Sequence, residues 1–229
     1  MKKIAVIPAR SGSKGLRDKN IIELCGKPMM NYSIDAALEV GCFEHVIVST
    51  DSERYGKIAE NAGAEVIYRG ERVSNDTATT YAVLEDLFAR IGTDFDYFVL
   101  LQPTSPMRNS AHIKEAVELF EGRCHDFDFL VSVTESKHSK ALVNPIEKDG
   151  SLKFFDTDFS SYRRQSFKDY SPNGAIFIGK PKAYLKRGHF FGERAVAYFM
   201  NSFDSVDVDT ELDYKFACLC MNEKRKGNF

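Results

Sequence analysis

Tryptophan is missing altogether, proline is scarce at 7 residues, and no apolar run exceeds about six residues. Runs this short exclude a membrane-spanning helix, which needs about 20 consecutive apolar residues. Met1, Lys2 and Lys3 lead into one such run, which ends at Pro8 and Arg10. It is too short for a secretory signal, and no small-residue cleavage site follows it. An excess of either charge is also missing: 31 Lys and Arg against 33 Asp and Glu leave a formal net charge of −2. A near-neutral chain lacks the basic surface of a general nucleic-acid binder, so each cation must be judged by its position. The five cysteines (Cys25, Cys42, Cys124, Cys218 and Cys220) are odd in number and match no disulfide framework. Cys218 and Cys220 stand in an apolar helical stretch without a second pair or a His cluster nearby, which favours core thiols over a zinc site. Free thiols and the lack of a signal point to the reducing cytoplasm.

What remains is ordinary globular material. The chain has 229 residues, 43% hydrophobic and 28% charged. At this length roughly 70% of the unfolded surface is buried on folding, so neither disulfides nor structural metals are needed.

Strand and helix signals alternate through the first half. Ile4–Ile7 is a continuous apolar run of the kind buried on both faces. Met29–Val40 has helical spacing, with Met30, Ile34, Ala37 and Leu38 on one side. Strands follow at 46–48, 66–68, 97–101 and 129–133, separated by helices at 53–62, 77–91 and 113–120. This alternation, without tight hairpins, predicts a parallel sheet covered on both faces, a three-layer α/β/α arrangement. Residues 135–170 are polar and irregular, with strand-like pieces such as Lys153-Phe154-Phe155. Pattern returns at 175–178 and 195–200 and in a terminal helix over 210–221. The expected organisation is one α/β domain over 1–229, with 135–170 as an inserted arm suited to packing on a second subunit.

In open parallel sheets, ligands bind beyond the carboxyl ends of the strands. The first such loop holds Arg10, Ser11, Gly12, Ser13, Lys14, Gly15, Arg17, Lys19 and Asn20, with four cations and two glycines in eleven residues. Glycines let backbone N–H groups approach phosphate oxygens, and the cations supply charge. The spacing is neither that of the common ATPase loop nor that of the dinucleotide fingerprint. A polar loop from Arg69 to Asp76 runs into Thr77-Ala78-Thr79-Thr80. Its hydroxyls are helix caps in the plainest reading, and with Arg69 they suit a base and ribose. Gln102 stands at the end of the strongest strand, before a loop stiffened by Pro103 and Pro106. Asp207 and Asp209, if extended, face one way while Val206 and Val208 face the core. Paired carboxylates beside phosphates suit Mg²⁺. Asp209 has a competing role as the cap of the last helix, whereas Asp207 has none. Arg163 and Arg164 are either a surface pair or a fork for a carboxylate. Phe190 and Phe191 read first as core aromatics.

The strings IPARSGSKGLRDKN, STD, NDTATT, LLQPTSP, RRQ, PNGAIF, FFGE and DVDT occur in this order over nearly the whole chain. Together they resemble the CMP-sialic acid synthetases (acylneuraminate cytidylyltransferases); the first string is shared with cytidylyltransferases for other acidic sugars. The resemblance implies a Rossmann-like nucleotidyltransferase that joins CTP and N-acetylneuraminate to give the CMP-sugar and pyrophosphate. It leaves legionaminate and related nonulosonic acids as alternative substrates. It assigns Arg10, Ser13, Lys19 and Asn20 to the nucleotide, and Arg69, Ala78 and Thr80 to cytosine and ribose. It assigns Gln102, Lys140 and Arg163 to the acidic sugar, with Arg164 not separable from Arg163. Phe190 and Phe191 would reach its N-acyl pocket from the partner subunit of a homodimer. Asp207 and Asp209 would hold Mg²⁺, and Arg10, Lys19 and the two aspartates would carry catalysis. Ser171 stands where some members have Arg, and Phe177 where relatives have Tyr. A glycosyltransferase also combines such a sheet with an Asp-x-Asp pair, but the cations of the first loop favour a triphosphate. A nucleotide sensor would have lost the acidic pair or the sugar cations.

Overall fold

The computed structural model describes residues 1–227 except Ser13, Lys14, Asp76, Thr157, Ser161, Tyr162 and residues 164–167. Strand β1 (Lys3–Pro8) is the apolar run after the N-terminal lysines, and its Ile4–Ile7 side chains are at most 2% exposed. A single 3-10 turn at Lys19–Ile21 and a small hairpin of β2 (Glu23–Leu24) and β3 (Lys27–Pro28) follow. The expectation of no tight hairpins is corrected here. Cys25 and Gly26 form the turn with φ of 51° and 88°. Two positive φ angles match the twist of a two-residue hairpin, and glycine supplies one of them without strain.

Helix α1 (Met29–Val40), strand β4 (His45–Thr50), helix α2 (Glu53–Asn61) and strand β5 (Glu65–Tyr68) continue the alternation. Helix α3 spans Thr80–Ile91, starting later than the expected Thr77. The Thr77 N–H and Oγ1 both donate to Asn75 Oδ1, at 3.0 and 2.7 Å, and this local turn competes with the helix. Thr79 is the cap, its Oγ1 accepting the Ala82 N–H at 3.2 Å. Strand β6 (Tyr97–Leu100), helix α4 (Ser110–Arg123), strand β7 (Phe129–Glu135), strand β8 (Tyr170–Gly179), helix α5 (Pro181–Arg187), strand β9 (Ala195–Phe199) and helix α6 (Glu211–Arg225) complete the chain.

Seven strands form one sheet in the order β5-β4-β1-β6-β8-β7-β9. All neighbours are parallel except β8, which runs against both β6 and β7. Alternate residues of each strand feed opposite layers. Ala5, Ile7, Val48 and Val99 pack with Met30 and Ile34 of α1 and Phe120 of α4. Ile4, Val6, Phe98 and Leu100 pack with Leu84 and Phe88 of α3 and Tyr184 of α5. A third cluster sets Val206, Val208, Ala217, Cys220 and Met221 against Leu24 and Met107. Helix α6 thereby packs on the β2–β3 hairpin and on the loop after β6.

The excursion between β7 and β8 starts and ends at one place, because the Ser136 N–H donates to the Asp169 carbonyl at 2.8 Å. Within it the described residues hold a 3-10 turn at Lys140–Leu142, and Lys153 and Phe154 lie in a turn rather than in the strand expected there.

Asp128 gathers the far edge of the sheet. Its carboxylate accepts from Arg194 Nε at 2.5 Å and from Lys180 Nζ at 2.8 Å. These partners, Arg194 first, hold its pKa at about 2. Asp128→Asn is therefore expected to cost about 2 kcal/mol of stability at neutral pH. A depressed carboxylate stabilises above its unfolded pKa, so the difference from wild type should shrink as pH falls from about 4 towards 2. Urea unfolding across that range checks both magnitude and sign.

Candidate active site

The loops at the carboxyl ends of β1, β5 and β6 enclose a cleft of about 430 Å³. Arg10, Lys19, Asn20, Arg69, Ala78, Thr80, Gln102 and Asp209 all line it. Sequence separation of up to 190 residues between Lys19 and Asp209 is closed by the sheet. Ser13 lies outside the described residues.

Local geometry explains each position. The first loop leaves β1 through Gly12, whose φ of 71° places it in the left-handed region. The Ser11 N–H and Oγ both donate to Asp51, each at 2.8 Å, tying this loop to the end of β4. Asn20 is buried, and its Nδ2 donates to the Arg10 carbonyl at 2.9 Å, which fixes the backbone from which the Arg10 side chain leaves. Gly15 packs against the acidic segment, where a Cβ would lie 2.9 Å from the Asp209 carbonyl oxygen. On the opposite wall, Arg69 is 7% exposed and its Nε has no partner among the described residues. Burial lowers its pKa, the Asp51 charge opposing. An arginine held this way is a strong donor awaiting an acceptor.

The acidic segment is extended as the alternation predicts, with Val206 and Val208 buried and Asp207 and Asp209 exposed. The Val208 N–H donates to the Thr104 carbonyl at 2.8 Å, hanging the segment from the loop after β6. Although Asp207 is open to solvent on one side, the protein packed around its carboxyl desolvates it and raises its pKa; a hydrogen bond from Thr104 opposes this, and the charge of Asp209 adds to it. Asp209 is not the helix cap. Thr210 and Asp213 form the capping box of α6, which leaves the Asp209 carboxylate free to pair with Lys19 Nζ at 2.7 Å. Asp207 Oδ2 lies 3.8 Å from where a Cβ at Gly174 would stand. Two hard carboxylates with open space beside a cation-lined cleft suit Mg²⁺, which takes one or two carboxylates and completes its shell with phosphate and water.

A second cavity of about 290 Å³ shares Thr80 and Gln102 with the cleft and is otherwise largely aromatic, lined by Phe177, Tyr184, Phe190 and Phe191. Phe190 and Phe191, expected to reach the pocket of another subunit, line this cavity of their own chain. Phe190 is 5% exposed and packs within its own chain, with ring centroids 4.6 Å from Tyr184 and 5.0 Å from Phe177. Phe191 is 48% exposed on the same cavity. Lys140 and Arg163 are exposed on the arm and line neither cavity, and Arg164 lies outside the described residues.

Sequence reasoning missed Thr104, Asp51 and Asn173. Asn173 is buried; it accepts from Ser132 Oγ at 2.6 Å and donates to Ser205 Oγ at 2.8 Å, joining β7 and β8 to the acidic segment. Its place before a positive-φ glycine, Gly174, was the one available signal.

A three-layer α/β protein whose cleft is lined by Arg10, Lys19, Arg69 and Asp209, with Asp207 on the same extended segment, has the chemistry to hold an anionic ligand. The description "Cytidylyltransferase" matches residues 4–217. The N-acylneuraminate cytidylyltransferase of Escherichia coli O18:K1:H7 is 45% identical over 97% of this chain and 53% of its own length. The CMP-N,N'-diacetyllegionaminic acid synthase of Legionella pneumophila is 35% identical over 93% of this chain and 94% of its own. A solved CMP:2-keto-3-deoxy-manno-octonic acid synthetase has the same fold, with a TM-score of 0.74 at 16% identity over 98% of this chain and all of the other. The chain belongs to the cytidylyltransferase family. It spans about half the length of the 45%-identical curated relatives.

Gly15→Ala is expected to weaken binding of a triphosphate probe such as CTP at least ~10-fold, because the new methyl forces the first loop off Asp209. Calorimetric titration of the two proteins measures this directly.

Proposed function

We propose that this chain joins CTP to N-acetylneuraminate, forming CMP-N-acetylneuraminate and pyrophosphate. The single observation that carries the reading is the Lys19–Asp209 pair at 2.7 Å, which brings the cationic loop and the acidic segment together over one cleft. The 45% identity to N-acylneuraminate cytidylyltransferases supports the choice of sugar.

In this reading Arg10 and Lys19 balance the triphosphate charge, and Asn20 keeps the Arg10 backbone in place. Arg69, Ala78 and Thr80 hold cytosine and ribose, and Arg69 Nε finds there the acceptor it lacks among the described residues. Gln102, between the two cavities, orients the sugar over the α-phosphate. The sugar's anomeric oxygen forms the new bond to that phosphorus as the bond to pyrophosphate breaks in line. Such a transfer needs positioning and charge neutralisation more than covalent help. Asp207 and Asp209 would hold Mg²⁺, which when bound neutralises phosphate charge. Binding of CTP requires Lys19 to exchange Asp209 for phosphate oxygens, freeing that carboxylate.

The aromatic cavity suits the apolar parts of a nine-carbon acidic sugar. Phe177 makes it more apolar than a tyrosine would. The arm, with Val143, Ile146 and Leu152 each more than half exposed, is the natural surface for a second copy of the chain. A homodimer would let Lys140 and Arg163 of one copy approach the sugar carboxylate in the other. The reaction is that of a soluble enzyme of the cytoplasm, where CTP is made.

The decisive assay is pyrophosphate release with CTP and Mg²⁺, comparing N-acetylneuraminate, legionaminate, pseudaminate and 3-deoxy-octulosonate. Release with N-acetylneuraminate should dominate. Asp207→Asn should lower its turnover at least ~100-fold, as expected for a lost metal ligand. A preference for another sugar would move specificity onto Phe177 and Ser171. Independently, sedimentation at micromolar concentration should give twice the chain mass of 25.9 kDa; a monomer would remove the arm from the sugar site.

A further inference from the structure

Arg108 is the largest fully buried side chain, 2% exposed, in the loop between β6 and α4. Among the described residues it forms no ion pair with a carboxylate. Its Nε donates to the Ala175 carbonyl of β8 at 3.0 Å. Its Nη2 donates to Ser33 Oγ of α1 at 2.5 Å and to the Gln102 carbonyl at 3.1 Å. Nη1 has no partner among the described residues. Burying a cation without an anion is costly, and a core fastening alone is achieved more cheaply by apolar residues. The fork must therefore supply something that neutral packing does not.

Its acceptors show what that is. The Gln102 carbonyl also receives Ser33 Oγ at 3.2 Å and the Ser105 N–H at 3.3 Å, so three donors hold the residue that lies between the two cavities. The same loop carries Thr104, whose carbonyl receives the Val208 N–H and whose side chain bonds Asp207. On the β8 side, Ala175 follows Gly174, which lies against Ser105 and Asp207. The guanidinium thus pins, from beneath, both ends of the wall from which the acidic segment hangs.

We propose that Arg108 is a positioning residue for nucleotidyl transfer: its fork sets Gln102 and, through Thr104 and Gly174, the acidic pair in register with each other. The inference rests on the function proposed above. A planar group with directed donors on two nitrogens is required to reach acceptors on α1, β8 and the loop together. An ammonium in its place keeps the charge and loses the geometry.

The test compares Arg108→Lys and Arg108→Met with wild type, using pyrophosphate release, calorimetric CTP binding and thermal melting. CTP affinity should stay within about 3-fold, since Arg10, Asn20 and Arg69 do not hang from this fork. For both variants kcat should fall at least ~30-fold, lysine failing to rescue. Added methylguanidinium should restore part of kcat in Arg108→Ala. A kcat within about 3-fold of wild type in either folded variant would overturn the proposal, as would CTP affinity falling in parallel with kcat. If the arginine variants do not fold, Ser33→Ala removes one arm of the clamp alone. It should lower kcat about 3- to 10-fold at unchanged CTP affinity, and an unchanged kcat there overturns the proposal. Lack of pyrophosphate release by wild type would instead mark failure of the functional reading itself.

Discussion

Strand β8 has to run against its neighbours, and the far half of the cleft depends on that reversal. Lying between β6 and β7, it pairs Leu100 with Phe177 and Glu135 with Tyr170. Its first residues therefore lie at the carboxyl ends of the parallel strands, where the nucleotide loops also gather. A parallel strand here would have delivered Asn173 and Gly174 to the opposite edge of the sheet. With the reversal, Asn173 reaches Ser205 and Gly174 lies beside Asp207. The acidic segment is held by the Val208 N–H on the Thr104 carbonyl of the loop after β6 and by the Asn173 amide of β8 on Ser205, rather than by its own loop alone. That is how a site requiring placement to a fraction of an ångström is kept.

Electrostatics divide the cleft into two walls with different resting states. On one side Lys19 and Asp209 neutralise each other across the mouth. On the other, Arg69 is buried and only partly satisfied. The first wall exchanges partners when an anion enters, and the second gains one. Both changes favour a charged, hydrogen-bonding ligand over an apolar one, because an unpartnered buried donor is expensive and a surface ion pair is not. Beneath Gln102 lies Arg108, whose charge is met, among the described residues, only by carbonyl and hydroxyl dipoles.

The strands and helices of the first half were legible because burial on both faces writes continuous apolar runs, and helical spacing such as that of Met30, Ile34 and Ala37 marks the buried side of a helix. The cationic loop was legible because glycines and lysines were concentrated directly after a strand. The start of α3 was misjudged because Asn75 captures Thr77 locally, two residues away, in a turn that competes with the helix. The hairpin at Cys25-Gly26 was overlooked because its strands are too short to show alternation. The piece at 153–155 read as strand because aromatics favour strands only when a neighbouring strand accepts them.

The sequence alone determined the layers, the strand-end loops and the residue types of the cleft, since these follow from periodicity and from the chemistry of single side chains. Tertiary structure decided which of them meet. Lys19 and Asp209 are joined by no local pattern, and the partners of Arg108 come from α1, β8 and its own loop. Such contacts depend on strand order and direction, and those are set by the packing of the whole sheet against its two helical layers rather than by any one segment.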